Sequence, residues 1–121
     1  MKTKVKVWYD DKYDCTTYAD LATLTDANPN LANELLTNFG KGEWINDELR
    51  VYDSIADLAA YEVCEGWYGC LIGADLSTID YNGAPSLFDF IDLEELGKTL
   101  QNTWDDSIYY LAKNDNVVVT N

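Results

Sequence analysis

The chain has 121 residues with 22 acidic against 8 basic side chains, which gives a net charge of −14, and it contains no histidine. Such a charge repels nucleic acids, anionic lipids and acidic substrates, and it reflects solubility, adaptation to salt or a basic partner. Aromatic residues make up 13% of the chain, which argues against a disordered acidic protein, and the length predicts one domain over residues 1–121.

The N-terminal part of the chain predicts a strand, a loop and a short helical segment. Apolar and polar side chains alternate over Thr3–Tyr9, which is typical of a half-buried strand. A polar loop is expected over Asp10–Thr17, and one or two helical turns over Tyr18–Leu24. Because acids follow the N-terminal lysines and interrupt any hydrophobic run, no export signal is expected and the predicted location is cytoplasmic.

A well-marked helix and a short strand come next. Asn28 is a typical N-cap, and Pro29 suits the first helical position. Apolar residues follow at helical spacing as far as Phe39, and Gly40 is expected to end the helix. Leu49–Tyr52 predicts a short strand.

The middle of the chain predicts a second helix and then a segment rich in glycine and aromatic residues. Asp53 or Ser54 is expected to cap the helix. Its apolar face is expected to comprise Ile55, Leu58, Ala59 and Val63. In the segment that follows we expect a buried stretch at Tyr68–Ile72 and a turn at Asn82–Gly83.

The C-terminal part predicts a third helix and a hairpin. Asp92 is expected to cap the helix, with its leucines directed inward. Ser107–Ala112 and Asn116–Thr120 are expected to pair around Lys113–Asp115. The predicted fold class is therefore α+β, a small antiparallel sheet packed with three or four short helices and ending in a C-terminal hairpin.

The residue types argue against an enzyme and against a cofactor. Without histidine the chain lacks the common general base, and Ser–His and Cys–His nucleophile systems are impossible. The three cysteines lack CxxC spacing, which predicts free thiols rather than a disulfide framework or a zinc site. No glycine loop of a phosphate-binding type occurs, and nothing singles out two carboxylates as an acid–base pair.

A calcium loop is incompletely matched. Positions 3, 5, 6 and 12 of an EF-hand register are filled by Asp80, Asn82, Gly83 and Asp89. Thr78 at position 1 supplies no carboxylate, and Pro85 interrupts the loop. The segment is better explained as a turn beside a loop, and we expect no specific metal site.

The most informative segment runs from Val51 to Gly97, which contains no basic residue. Its ten carboxylates are Asp53, Asp57, Glu62, Glu65, Asp75, Asp80, Asp89, Asp92, Glu94 and Glu95. With Asp105 and Asp106 they are the candidate partner-binding residues. The positive end of a helix dipole accounts for the three acids from Asp92 onward, but not for the other seven.

The size of the charge is comparable with that of DNA. A compact chain of this length is about 35 Å across, and duplex DNA of that length carries about 20 charges. A net charge of −14 is of the same order. The sequence is therefore compatible with imitation of a short duplex.

Three segments resemble the ArdA antirestriction proteins, and they occur in the same order. They are Leu35-Leu36-Thr37-Asn38-Phe39, Ser54-Ile55-Ala56-Asp57-Leu58 and Phe90-Ile91-Asp92-Leu93-Glu94-Glu95-Leu96-Gly97-Lys98-Thr99-Leu100. The third is similar to a signature near the family's C-terminus, in which an aromatic residue, Ile and Asp are followed after four residues by Gly, a base, any residue and Leu. A strand pair ending in Val117-Val118-Val119 follows it.

The resemblance covers residues 31–120 and implies a DNA mimic that occupies the DNA groove of type I restriction–modification enzymes, with no catalysis and no cofactor. Members of the family are usually longer, elongated dimers of several domains, so the chain departs from the pattern in length.

Charge and resemblance together predict an inhibitor that competes with DNA for a basic groove, its carboxylates standing in for phosphates. No direct binding to nucleic acid or membrane is expected, and a homodimer is left open. Two alternatives remain. The mimicry is directed at another defence nuclease such as a CRISPR effector, or the chain is a phage or plasmid adaptor whose charge serves only solubility.

Overall fold

Residues 6–39, 44, 47–73, 77 and 86–120 are described by the structure, which is a computed structural model. The strands are Val7–Asp10 (β1), Cys15–Tyr18 (β2), Leu49–Tyr52 (β3), Tyr109–Leu111 (β4) and Val117–Val119 (β5). The α-helices are Leu21–Ala27 (α1), Pro29–Asn38 (α2), Ile55–Cys64 (α3), Trp67–Ile72 (α4) and Leu93–Gln101 (α5), and a 3₁₀ helix covers Leu87–Phe90.

The strands form one antiparallel sheet in the order β1-β2-β3-β5-β4. Val118 of β5 lies between Val51 of β3 and Tyr110 of β4, so the C-terminal hairpin joins the sheet through its second strand. The predicted α+β class and the C-terminal hairpin are confirmed. The strand expected at Leu49–Tyr52 is also confirmed.

Strand β2 was not predicted, because its residues fall in the expected polar loop Asp10–Thr17. Cys15–Tyr18 pairs with both β1 and β3, and Cys15 and Thr17 are buried. The loop is confined to the residues between β1 and β2. It ends at Asp14, whose φ of 45° lies in the left-handed region that Asp tolerates better than most residues.

The first strand is also more exposed than expected. All four residues of β1 are exposed, whereas the alternation predicted a half-buried strand. Its position at the edge of the sheet, with β2 as its partner, agrees with this exposure. Residues 3–5 of the predicted strand lie outside the described residues.

The chain divides into two compact units. Unit 1 comprises Met1–Ser54 and Trp104–Asn121, and unit 2 comprises Ile55–Thr103. Unit 1 contains the sheet and both N-terminal helices. Its core is formed by Leu24, Leu31, Ala32, Leu35, Trp44, Leu49, Val51, Ala112 and Val118.

Helix α2 begins as predicted and is held to the C-terminal hairpin. Asn28 accepts a hydrogen bond from the Leu31 amide at 3.2 Å, and Pro29 occupies the first turn. Farther along α2, Glu34 Oε2 accepts from the Tyr110 hydroxyl at 2.7 Å and from the Lys113 amide at 3.0 Å. The carboxylate therefore fixes α2 against the loop that joins β4 and β5.

Unit 2 is built from α3, α4 and α5. The buried residues of α3 are Leu58, Ala59, Ala60, Val63 and Cys64, which confirms most of the predicted apolar face, while Ile55 is only half-buried. Asp92 caps α5 as expected by accepting from the Glu95 amide at 3.0 Å. The leucines of α5, expected to point inward, are each half-buried.

The prediction of a buried segment at Tyr68–Ile72 is wrong. These residues lie in helix α4, where Leu71 is 69% and Ile72 50% exposed. Gly69 is the buried residue of this helix, and a Cβ at its position would lie 2.4 Å from the Cys64 carbonyl oxygen. The buried side of α4 is therefore its backbone at Gly69, which lies close to the backbone of Cys64. Trp67, Leu71 and Ile72 of the same helix are exposed.

The buried Gly97 sets how closely α5 approaches α3. A Cβ at this position would lie 2.7 Å from the Ile55 carbonyl oxygen and 2.9 Å from a side-chain carbon of Ile55. Real Cβ atoms do not approach backbone oxygen so closely, so a larger residue must push the helices apart.

We predict that Gly97→Ala destabilises the protein by about 1–3 kcal/mol because it overpacks this contact. In an ordinary helix interior the same change stabilises by about 1 kcal/mol. The free energy of unfolding from urea denaturation checks this. The matched control is Thr99→Ala on the exposed side of α5, expected to change stability by about 0.5 kcal/mol at most. A Gly97→Ala protein more stable than the parent contradicts the close approach.

Candidate acidic interface

The structure describes ten of the twelve candidate carboxylates, while Asp75 and Asp80 lie outside the described residues. Three belong to unit 1, namely Asp53, Asp105 and Asp106. Seven belong to unit 2, namely Asp57, Glu62, Glu65, Asp89, Asp92, Glu94 and Glu95. All are exposed except Asp57 and Glu62, which are half-buried. Of the three acids on α3 and directly after it, only Glu65 is therefore fully on the solvent side.

Unit 2 concentrates the charge. Its sequence contains nine acids and one base, Lys98, which gives a net charge of −8 for Ile55–Thr103. The Lys98 ammonium lies 3.2 Å from a Glu94 carboxylate oxygen one helical turn away, and both side chains are largely exposed. Exposed pairs of this kind contribute only about 0.3–0.5 kcal/mol. Lys98 therefore offsets one carboxylate and leaves the rest of the unit negative.

Two of the candidate carboxylates also accept hydrogen bonds from backbone amides at the start of a helix. Glu62 Oε2 accepts from the Trp67 amide at 3.0 Å at the start of α4. Asp92 Oδ1 accepts from the Glu95 amide at the start of α5. A carboxylate at a helix N-terminus binds unpaired N–H groups and interacts favourably with the helix dipole. These two acids therefore have a structural role that is independent of any partner.

The acids do not form a single row along either long helix of unit 2. Asp57 and Glu62 are five residues apart on α3, which places them about 140° apart around a helix of 3.6 residues per turn. Asp92, the N-cap of α5, lies three residues before Glu95 and next to it at the helix start, whereas Glu94 is on the side of Lys98. The negative charge is distributed around the helices.

Asp105 and Asp106 are held in the turn before β4. Asp105 Oδ1 accepts from the Ser107 hydroxyl at 2.6 Å and from the Ser107 amide at 2.9 Å, and these two bonds lower the pKa of Asp105. Asp106 Oδ1 accepts from the Trp104 indole at 3.1 Å, and that indole stacks on Tyr109 with ring centroids 5.3 Å apart. Both carboxylates therefore stabilise a local turn.

A hydroxyl–carboxylate pair on the edge strand was not predicted. The Tyr9 hydroxyl donates to Asp14 Oδ1 at 2.6 Å, and this bond is the main cause that raises the pKa of Tyr9 to about 12. The bond joins β1 to the last residue of the loop that precedes β2. No sequence signal marks it, because the pairing depends on where the hairpin turns.

Sequence reasoning also missed the exposed apolar surface of unit 2. Among the described residues of this unit, the exposed large apolar side chains are Trp67, Leu71, Ile72, Leu87 and Phe90. Val63, Tyr68, Ile72, Ile91 and Leu96 line a cavity of about 190 Å³ in the same unit. The apolar run Tyr68–Ile72 predicted a buried segment, and hydrophobicity alone does not show which side of a helix is exposed.

The described residues show no group of three or more His, Cys, Asp or Glu side chains placed to hold a metal ion. Of the residues that fill ligand positions in the incomplete EF-hand register, only Asp89 is among the described residues. Cys15 and Cys64 are buried and Cys70 is exposed, and burial raises the pKa of the Cys15 thiol. Among the described residues no helix has the length and apolar character needed to cross a membrane.

Comparisons with protein-family models, with curated proteins and with solved structures gave no match for this chain. The resemblance to ArdA proteins therefore rests on the three segments alone. In the third segment, the close contact with Ile55 gives Gly97 a packing role and the cap of α5 gives Asp92 a local one.

We predict that Ser107→Ala raises the pKa of Asp105 toward the ordinary value of about 3.9, since it removes the hydroxyl whose hydrogen bond is the main cause that lowers this pKa. A carboxyl whose pKa is lower in the folded state stabilises the fold above its unfolded pKa, and this contribution is lost as pH falls through the folded pKa. Carboxyl NMR titration of the two proteins measures the shift. Ser86→Ala, in unit 2, is the control expected to leave the Asp105 titration unchanged, and an unchanged pKa in Ser107→Ala contradicts the assignment.

Proposed function

We propose that the chain is a non-enzymatic, cofactor-free inhibitor that acts in the cytoplasm by competing with duplex DNA for the basic groove of a type I restriction–modification enzyme. One observation carries the proposal. The base-free run from Val51 to Gly97 contains ten carboxylates, and each of the eight within the described residues is exposed or half-buried. An acidic surface of this extent fits a partner that normally holds phosphates.

The proposed mechanism is electrostatic competition. Lysine and arginine side chains of a DNA groove bind carboxylates through charge-assisted hydrogen bonds, as they bind phosphate oxygens. Long-range attraction also raises the association rate. Because the proposed inhibitor and DNA present the same sign of charge to the same groove, occupation by one excludes the other.

The structural roles of Glu62 and Asp92 do not prevent them from binding a partner. Each gives one carboxylate oxygen to a backbone amide in its helix cap. A carboxylate has two oxygens and about four lone-pair sites, so acceptor capacity remains for a lysine or arginine. The hydrogen bond holds the carboxylate in position before the partner arrives, which lowers the entropic cost of binding.

The choice of a type I enzyme depends on the resemblance to ArdA proteins, whereas the competition with DNA depends on the charge. A CRISPR effector would present a similar basic channel to the same carboxylates. An adaptor whose charge serves only solubility would bind its partner without regard to DNA. A test of competition with DNA therefore distinguishes mimicry from the adaptor alternative. A comparison of binding to a type I enzyme and to a CRISPR effector then distinguishes the two proposed targets.

We predict that the protein displaces a labelled duplex from a purified type I enzyme, and that its affinity falls steeply between about 50 and 500 mM salt because counterions are released. The measurement is fluorescence anisotropy of the duplex. Binding to the enzyme that is unaffected by saturating duplex, or by salt, contradicts the mimicry.

We predict that neutralising four acids of unit 2 weakens this binding far more than any single change. The variant combines Glu62→Gln, Glu65→Gln, Asp89→Asn and Glu95→Gln. Exposed pairs contribute about 0–1 kcal/mol each, so one change costs less than about fivefold and four cost about tenfold or more. Inhibition constants from the duplex competition measure the effect.

A matched control neutralises four exposed acids of unit 1 that lie outside the candidate set, namely Asp10, Asp11, Asp26 and Asp115, each changed to Asn. It makes the same change in net charge. Equal losses in the two quadruple variants indicate that only the total charge matters and that unit 2 is not the binding surface.

A further inference from the structure

Unit 2 has an apolar groove that electrostatic mimicry does not require. The side chains that line it are Val63 of α3, Tyr68 and Ile72 of α4, Ile91, and Leu96 of α5. Its volume is about 190 Å³. An apolar cavity of about 150 Å³ is sufficient to bind benzene. The groove is therefore large enough for one aromatic or branched aliphatic side chain.

One side chain that lines the groove is itself half exposed, and chain neighbours of two lining residues are exposed apolar side chains. Ile72 lines the groove and is 50% exposed. Its chain neighbour Leu71 is 69% exposed, and Phe90, next to the lining residue Ile91, is 72% exposed. Single exposed apolar residues are ordinary, but several beside a cavity mark an interaction site.

The net charge of the unit that contains the groove decides what kind of partner fits. Acids directly adjoin lining residues in the chain, with Glu62 before Val63, Asp92 after Ile91 and Glu95 before Leu96. Unit 2 as a whole carries a net charge of −8. A second copy of the chain would bring the same negative charge against this surface, and the repulsion opposes self-association. A segment rich in lysine and arginine is attracted to it.

We propose that this groove binds a lysine- and arginine-rich segment of another protein, which inserts one aromatic or branched aliphatic side chain between Ile72 and Leu96. Carboxylates of unit 2 would bind the flanking cations, and the inserted side chain would supply the contact that excludes water. The inference is independent of DNA mimicry, since it concerns an apolar contact that DNA phosphates do not make.

The test uses two labelled peptides that differ at one position. Both are short lysine–serine peptides, one with phenylalanine and one with alanine at the centre. Their charge is equal, so their difference in affinity reports the apolar anchor alone. Burial of a phenylalanine side chain predicts binding about tenfold tighter, or more, for the phenylalanine peptide. Equal affinities overturn the proposal.

Variants locate the anchor site. In Ile72→Gln the preference for the phenylalanine peptide should disappear, whereas Ile72→Leu, which keeps an apolar side chain, should retain it. The matched control is Leu36→Gln, since Leu36 is an exposed leucine on α2 in unit 1, and it should bind like the parent. A preference that survives in Ile72→Gln overturns the assignment of the groove.

Methyl NMR of the unchanged protein keeps the test valid even if Ile72→Gln fails to fold. The phenylalanine peptide should shift the methyl resonances of Ile72, Ile91 and Leu96, and the alanine peptide should not. Sedimentation of the chain alone tests whether a second copy of the chain occupies the groove instead. A dimer that dissociates in Ile72→Gln and excludes the peptide shows that a second copy fills the groove, which overturns the proposal. Failure of duplex competition leaves all these outcomes unaffected.

Discussion

Hydrogen bonds from backbone amides to carboxylates fix the ends of several elements, in a chain whose 22 acids far outnumber its 8 bases. Among the described residues, carboxylates that accept from a backbone N–H within 3.0 Å include Asp10, Asp20, Glu34, Glu62, Asp92 and Asp105. These contacts are where the elements start or join. They cap α1, α4 and α5, hold α2 to the last hairpin, and shape the loop after β1 and the turn before β4. These carboxylates therefore have structural partners without being neutralised by a cation.

Features that depend on neighbouring residues were predictable from the sequence. The start of α2 at Asn28 and Pro29, and the cap of α5 at Asp92, require only the side chain and an amide three residues away. The C-terminal hairpin was predictable because two apolar runs flank a short polar turn. The exposure of most candidate acids was likewise predictable, since an unpaired charge is costly to bury.

Features that depend on distant contacts were not predictable. Strand β2 is only four residues long and polar in composition, and its place in the sheet comes from pairing with β1 and β3. Helix α4 is apolar, but its buried residue is Gly69, which lies close to the Cys64 carbonyl. Hydrophobicity alone therefore predicted burial where the structure has an exposed apolar surface. The groove at Ile72 was missed for the same reason, since it exists only where three separated segments meet.

Charge and apolar contact make different contributions to binding. Exposed carboxylates act mainly on the association rate and on the choice of partner, and individually they contribute little affinity. A buried apolar anchor contributes mainly to the lifetime of the complex, because affinity differences among related complexes lie mostly in dissociation. A surface with charge alone would bind any basic protein briefly. An apolar groove beside acids allows one basic partner to be distinguished from another, since a mismatched anchor loses contact without any change in charge.

The use of acids as caps also determines how charge can be separated from folding in this protein. Asparagine and glutamine keep a carbonyl oxygen that accepts the same backbone N–H, so Glu62→Gln removes the charge but leaves an acceptor for the Trp67 amide. Alanine removes both, and at a helix cap it costs about 0.5–2 kcal/mol of stability. Amide substitutions therefore report on the partner, and alanine substitutions report on the partner and the fold together. Several carboxylates of this chain both bind helix-start amides and carry negative charge. Substitution by asparagine or glutamine is therefore the change that removes the charge and keeps the structural hydrogen bond.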